Sequence, residues 1–162
     1  MAGEPARETK LRRSNKPVLE SYDIIICDCP PNLTIPTQNA LAISSHFAIP
    51  VSPDFLSGLG IGLLLSRIER LASDLEVKLT LAGVVISRVG RNAIHREEMM
   101  AAMREQLGTK VLSQQIKERV AVATAATQQR PIFDAGDAEA AGEFRAVCKD
   151  LLSRIGVTNE NA

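Results

Sequence analysis

Ile24-Ile25-Ile26-Cys27, closed by Asp28 and then by Pro30-Pro31, constrains this chain more than any other stretch of it. A short, continuous apolar run rich in β-branched residues is the pattern of a strand buried on both faces. Two prolines end it because neither can donate to a ladder. A strand covered on both faces needs helices above and below, so the run predicts a central strand of an α/β sheet with Asp28 at its carboxyl end.

The text that follows alternates in period. A short helix is predicted around Thr37–Ser44, and a second apolar strand over His46–Val51, closed by Pro53. Ser57 is placed to cap a helix running to about Asp74, in which Leu64, Ile68, Leu71 and Leu75 form one stripe. Leu79–Val89, centred on Val84-Val85-Ile86, reads as a third buried strand. The next helix carries Glu97 and Glu98 in its first turn and Met100, Met103 and Leu107 on one face, with Gly108 where a left-handed cap belongs. Lys110–Leu112 is expected as a weak short strand, Glu118–Gln128 as an alanine-rich helix and Pro131–Phe133 as a brief extended piece. Asp137 then caps a last helix whose buried side is marked by Ala141, Phe144, Cys148, Leu151 and Ile155. Strands alternating with helices imply a three-layer α/β/α fold with a mostly parallel sheet. Ligands of such folds gather at the carboxyl ends of the strands. Here those ends are Asp28–Asn32, Ser52–Asp54, Ser87–Arg91 and Gln115–Arg119.

Composition narrows the class of molecule. A chain of 162 residues suits one domain, read here as residues 22–156, preceded by a basic, polar leader over 1–21 and followed by a polar tail over 157–162. The 19 Lys+Arg balance 19 Asp+Glu, so no whole-molecule attraction to nucleic acid exists, although a local basic face is compatible with that balance. With four Phe, one Tyr and no Trp, aromatic stacking platforms for bases are excluded. No apolar run approaches the roughly 20 residues of a spanning helix, and the leader lacks a secretory signal, which predicts a cytoplasmic protein away from the membrane. The three cysteines, Cys27, Cys29 and Cys148, are expected as buried thiols in a reducing compartment rather than as disulfides or zinc ligands.

Tyr22-Asp23-Ile24-Ile25-Ile26-Cys27-Asp28-Cys29-Pro30-Pro31, followed by Asn39-Ala40-Leu41 and Ile49-Pro50-Val51, resembles the ParA/MinD family of deviant P-loop ATPases. Asp54–Leu59, Leu81–Val85 and Arg130-Pro131-Ile132 extend the likeness over nearly the whole ordered region, closest in pattern to the plasmid and chromosome partition branch. The resemblance implies a P-loop NTPase-like fold that uses ATP and magnesium. It makes Asp28 the Walker B residue, holding the metal through water, with Pro30 and Pro31 beside it. Ser87 and Lys117 fall where the family frames adenine, but the usual asparagine and proline are missing there. Partition ATPases also grip DNA nonspecifically through basic residues, which nominates Arg88, Arg91, Lys117, Arg119 and Arg130. A ParB-like adaptor is the implied partner.

One family element has no counterpart in these residues. None of the 10 glycines opens G-x-x-x-x-G-K-[ST] or a lysine-led variant, and Gly58-Leu59-Gly60-Ile61-Gly62 is followed by Leu63-Leu64 where lysine and a hydroxyl are required. The chain therefore resembles the C-terminal part of such an ATPase and is expected not to hydrolyse ATP alone. In the family the cradle-bearing strand lies beside the Walker B strand. Without it, Ile24–Cys27 is left with unmet backbone groups: the flanking strands close up, the domain dimerises through that edge, or another polypeptide supplies the missing half, and the expectation is self-association or pairing with a full-length ParA-type ATPase. Neither His46 nor His95 belongs to a recognisable hydrolytic triad.

Overall fold

The computed structural model describes residues 21–53, 55–90 and 94–157. The leader up to residue 20, the tail from residue 158, Asp54 and Arg91 lie outside the described residues. The chain falls into two compact units, one within Met1–Phe47 and Leu64–Thr80, the other within Ala48–Leu63 and Leu81–Ala162.

The elements run α1 (Ile35–Ile43), β1 (His46–Val51), α2 (Phe55–Asp74), β2 (Thr80–Val89), α3 (Ile94–Leu107), β3 (Val111–Lys117), α4 (Val120–Thr127) and α5 (Ala138–Arg154). Single 3₁₀ turns occupy Gly108–Lys110 and Ile132–Asp134, so Pro131–Phe133 leads into a turn rather than remaining extended. The strands form one sheet in the order β1-β2-β3. Ser45 O accepts from Thr80 N at one end of β1 (3.0 Å) and Val51 O from Ser87 Oγ at the other (3.2 Å), so β1 and β2 run in the same direction. β2 and β3 are parallel, pairing Val84 with Val111, Ile86 with Gln115 and Val89 with Lys117. This is the parallel α/β architecture that the alternating pattern predicts.

In the first unit, α1 is buried over Thr37, Asn39, Ala40, Leu41 and Ala42, with a proline in its first turn, where a missing N–H costs nothing. α2 starts two residues before Ser57, which therefore lies inside the helix instead of capping it. Its stripe is also wider than expected, since Ile61, Leu65 and Ile68 are buried.

The expected strand at Ile24–Cys27 does not form. Residues 24–30 carry no regular structure, and Ile24, Ile25 and Ile26 are 42%, 41% and 87% exposed. A strand exists only through its ladder, and the described residues offer this run no partner: the sheet begins at β1. The apolar pattern specifies what the segment would bury against, and nothing within the described residues supplies it.

The second unit holds a core cluster built from three elements. Val85 of β2, Leu112 of β3 and Val147 of α5 pack together, joined by Ile116 and Leu151. Gly83 lies so close to the Leu112 side chain that a Cβ there would run into it. β3 is seven residues long, well beyond Lys110–Leu112, with Val111 and Leu112 buried and Ser113 and Gln114 exposed. Arg104 of α3 donates to Leu112 O at 2.9 Å. Gly108 takes φ +55° at the end of α3, as a left-handed cap requires. Asp137 caps α5 as expected, its Oδ1 accepting from Ala140 N at 2.9 Å. The buried face of α5 is Ala140, Ala141 and Val147, and Cys148 is exposed.

Candidate functional site

Two groups of sequence-predicted residues are to be located, one around Asp28 and one at the carboxyl ends of β2 and β3. Asp28, Pro30 and Pro31 are all exposed. A turn in which Asn32 N donates to Pro30 O (2.7 Å) leads toward α1, and Thr34 Oγ1 donates to Asn32 Oδ1 (3.0 Å). Cys27 is exposed and Cys29 half-buried, which corrects the expectation of buried thiols: the strand that would have covered Cys27 does not form, and Cys29 follows it. Burial, with the neighbouring Cys27 and Asp28 adding to it, pushes the Cys29 thiol above its ordinary pKa, so it stays protonated and weakly nucleophilic at neutral pH.

Magnesium and a triphosphate would need more than this. Asp28 offers one carboxylate on a segment with no ladder to hold it, and no group of three His, Cys, Asp or Glu among the described residues could hold a metal ion. The donor set by itself does not fit the cation, which relies on nucleotide phosphates as further ligands.

At the end of β2, Ser87 spends its hydroxyl on Val51 O. Arg88 follows in the left-handed region (φ +56°), exposed, within the irregularity that separates the Ile86 and Val89 pairings. A bulge of this kind re-aims a side chain at a strand end. Arg130 is exposed, with its N–H on Ala125 O (2.9 Å).

Lys117 and Arg119 are both paired with carboxylates. Arg119 Nη2 reaches Glu139 Oε1 at 2.6 Å and Glu143 Oε1 at 2.9 Å, while Lys117 Nζ lies 3.1 Å and 3.6 Å from the same two oxygens. Lys117 N also donates to Glu143 Oε2 at 2.9 Å, which ties the end of β3 to α5. Glu143 and Arg119 are largely buried, with 15% and 19% of their side-chain surface exposed; Lys117 and Glu139 face solvent. Nothing in the sequence reading pointed to the two glutamates. Their spacing of four on the helix that Asp137 opens is the signal that could have found them.

The hydrogen bond from Arg119, then that from Lys117, holds the Glu139 carboxyl below its ordinary value. Burial raises Glu143, but the Arg119 hydrogen bond, the Lys117 N–H and the two positive charges outweigh it, and its pKa is also lowered. A carboxyl depressed on folding contributes stability above its unfolded value, near 4.5, and loses it as pH falls through the folded value. In thermal melts followed by circular dichroism, the Tm gap between wild type and Glu143→Gln is therefore expected to be constant from pH 7 to about 5. Below the unfolded value the gap shrinks, and it closes once the folded-state carboxyl is protonated and both side chains are neutral. A gap that widens in acid would contradict this assignment.

A family model described as an AAA domain matches residues 1–81, half of the chain. The chain belongs to this family, in its ParA/MinD branch. Over 158 residues it is 28% identical to the chromosome-partitioning ATPase Soj of Treponema pallidum, covering 96% of this chain and 62% of that protein. It is 30% identical over 156 residues to the cell division protein PomZ of Myxococcus xanthus, covering 96% of this chain and 48% of that one. The apo McdA structure from Cyanothece matches with a TM-score of 0.78 at 19% identity, over 90% of this chain and 59% of that chain, which establishes the shared fold. This ParA/MinD member thus spans about half to three-fifths of the length of the relatives it matches.

Proposed function

We propose that this ParA/MinD chain serves a DNA-segregation system as a partition-type protein that neither binds nor hydrolyses ATP by itself. The observation that carries the reading is the pairing of a Walker B-like Asp28 with no glycine- and lysine-bearing phosphate loop anywhere in the 162 residues. By the resemblance, Asp28, Pro30 and Pro31 are the proposed counterparts of the family's magnesium-binding positions, and Ser87 and Lys117 those of its adenine-framing positions. The setting proposed is the cytoplasm, at the nucleoid, with a ParB-like adaptor. No helix among the described residues is long and apolar enough to cross a membrane.

Titration calorimetry with ATP and magnesium tests it. The expected result is no measurable uptake at about 50 μM protein, which places any Kd above the order of 10⁻⁴ M, with Asp28→Ala indistinguishable from wild type. Stoichiometric micromolar binding that Asp28→Ala removes would overturn the reading.

A second reading is favoured by the exposed Ile24, Ile25 and Ile26: a non-catalytic interaction module, which self-associates or pairs with a full-length ParA-type ATPase and modulates it. An uncovered β-branched run flanked by Asp23 and Asp28 is a surface suited to strand pairing. Arg88 and Arg130, both exposed, are the proposed points of contact with DNA phosphates, together with Arg91. Lys117 and Arg119 belong to that set on sequence grounds, but their carboxylate partners alter what they can do.

A further inference from the structure

Lys117 and Arg119 bring two positive charges to the end of β3, and Glu139 and Glu143 bring two negative charges onto them. Locally the four groups cancel. The surrounding charge does not favour a polyanion either, since Glu118 adjoins the cations and Asp137 opens the helix that carries the glutamates.

The geometry is that of an over-subscribed cation. Both carboxylates converge on one nitrogen of Arg119, Nη2, and Glu143 Oε1 is shared between that nitrogen and Lys117 Nζ. Arg119 Nε is buried and has no hydrogen-bond partner among the described residues. A guanidinium optimised for a structural ion pair presents two parallel N–H groups to one carboxylate. Here the Nε–Nη2 edge, which suits an oxyanion bidentately, is used through Nη2 alone.

We infer that Glu139 and Glu143 form an electrostatic lock on a phosphate-binding pair, Lys117 and Arg119, and that nucleic-acid backbone engages this pair only when the carboxylates are displaced or neutralised. This rests on the proposed DNA-binding role and adds its regulation. The carboxylates stand in for phosphate: they satisfy the cations and hold the end of β3 against α5. Glu139 also lies in the first turn of α5, where the helix N-terminus favours negative charge, so the locked state is the resting one.

The test is equilibrium binding of a fluorescein-labelled 30-base-pair duplex of arbitrary sequence, by anisotropy from 50 to 200 mM salt. The proteins are wild type, Glu139→Gln/Glu143→Gln, and that pair combined with Lys117→Ala/Arg119→Ala. Glutamine keeps an acceptor for Lys117 N, and circular dichroism checks that each variant is folded. The double variant is expected to bind at least about tenfold tighter at 50 mM salt. Its log K against log salt should steepen by about 2, for two newly engaged phosphates. The quadruple variant should return to the wild-type slope. Equal binding by wild type and double variant sinks the lock while leaving DNA binding intact. A gain that survives in the quadruple variant, whose net charge equals that of wild type, would show that Lys117 and Arg119 do not carry it and also sinks the lock. Absence of duplex binding by all three proteins fails the DNA-binding reading and the lock together. A parallel titration with sodium tripolyphosphate separates the sources of phosphate: tighter binding of tripolyphosphate than of duplex by the double variant would overturn the nucleic-acid assignment.

Discussion

Leu112→Ala is expected to lower the melting temperature of the protein by roughly 8–16 °C. Leu112 is fully buried between Val85 of β2 and Val147 of α5, with Ile116 and Leu151 closing over the cluster, so the truncation opens a cavity lined from three elements. Large-to-small changes of this kind cost about 2–5 kcal/mol, and the upper half applies where neighbours cannot collapse inward. Here β2 and β3 are held apart at fixed ladder spacing, which limits collapse. Against a total stability of about 5–15 kcal/mol for a domain of ordinary size, a loss of about 4 kcal/mol lowers Tm by roughly 8–16 °C. Thermal melts by circular dichroism measure it. A fall of less than about 3 °C would mean that the cluster is not the unit's core.

Gly83 supplies the matching control. A Cβ at this position runs into the Leu112 side chain, so Gly83→Ala is destabilising in the wild-type background. With Leu112→Ala already in place, much of that clash is gone. The two losses should then sum to less than the separate changes predict, by about 1 kcal/mol or more, as residues in contact do. Additive losses would place the close approach elsewhere.

How much of this was legible in the sequence depends on where each segment's partner lies. His46–Val51 and Thr80–Val89 were readable because an apolar run is a property of the strand itself, and so were Gly108 and Asp137, whose roles at helix ends are local. β3 was read too short because Ser113, Gln114 and Gln115 interrupt the apolar pattern on an edge strand, where exposure is permitted. The stripe of α5 was displaced by one residue at Cys148, since a thiol and a valine are both plausible on a buried face and only packing chose Val147. Lys117 and Arg119 were singled out, but the carboxylates that occupy them stand 22 to 26 residues further on, a separation at which spacing carries no information. Ile24–Cys27 marks the limit in the other direction. Its residues specify a buried strand, yet a ladder partner is a property of the whole sheet, and the described residues supply none.

That unfilled demand leads to the second large effect. Ile26→Lys is expected to weaken self-association of the chain at least tenfold while leaving its folding almost unchanged. Ile26 is 87% exposed, so the monomer loses little packing when it is replaced, and changes at such positions usually stay within about 0.5 kcal/mol. In a strand-paired complex the same side chain would be covered, worth about 1.5–3 kcal/mol for a fully buried isoleucine, and a lysine there would oppose the pairing directly. A loss of 1.4 kcal/mol already corresponds to tenfold in Kd. Sedimentation velocity over about 5–200 μM, a span that brackets association near −6 kcal/mol, is expected to show wild-type protein moving toward a larger species. Ile26→Lys should remain monomeric over most of that range, with an unaltered Tm. Two orphaned polar atoms in the same unit, Thr37 Oγ1 and Asn39 Oδ1, are buried without a partner among the described residues, the condition expected of a core that is missing a covering segment. Wild-type protein that stays monomeric throughout, with residues 24–28 as slow in hydrogen exchange as β2, would show instead that the run is satisfied within its own chain.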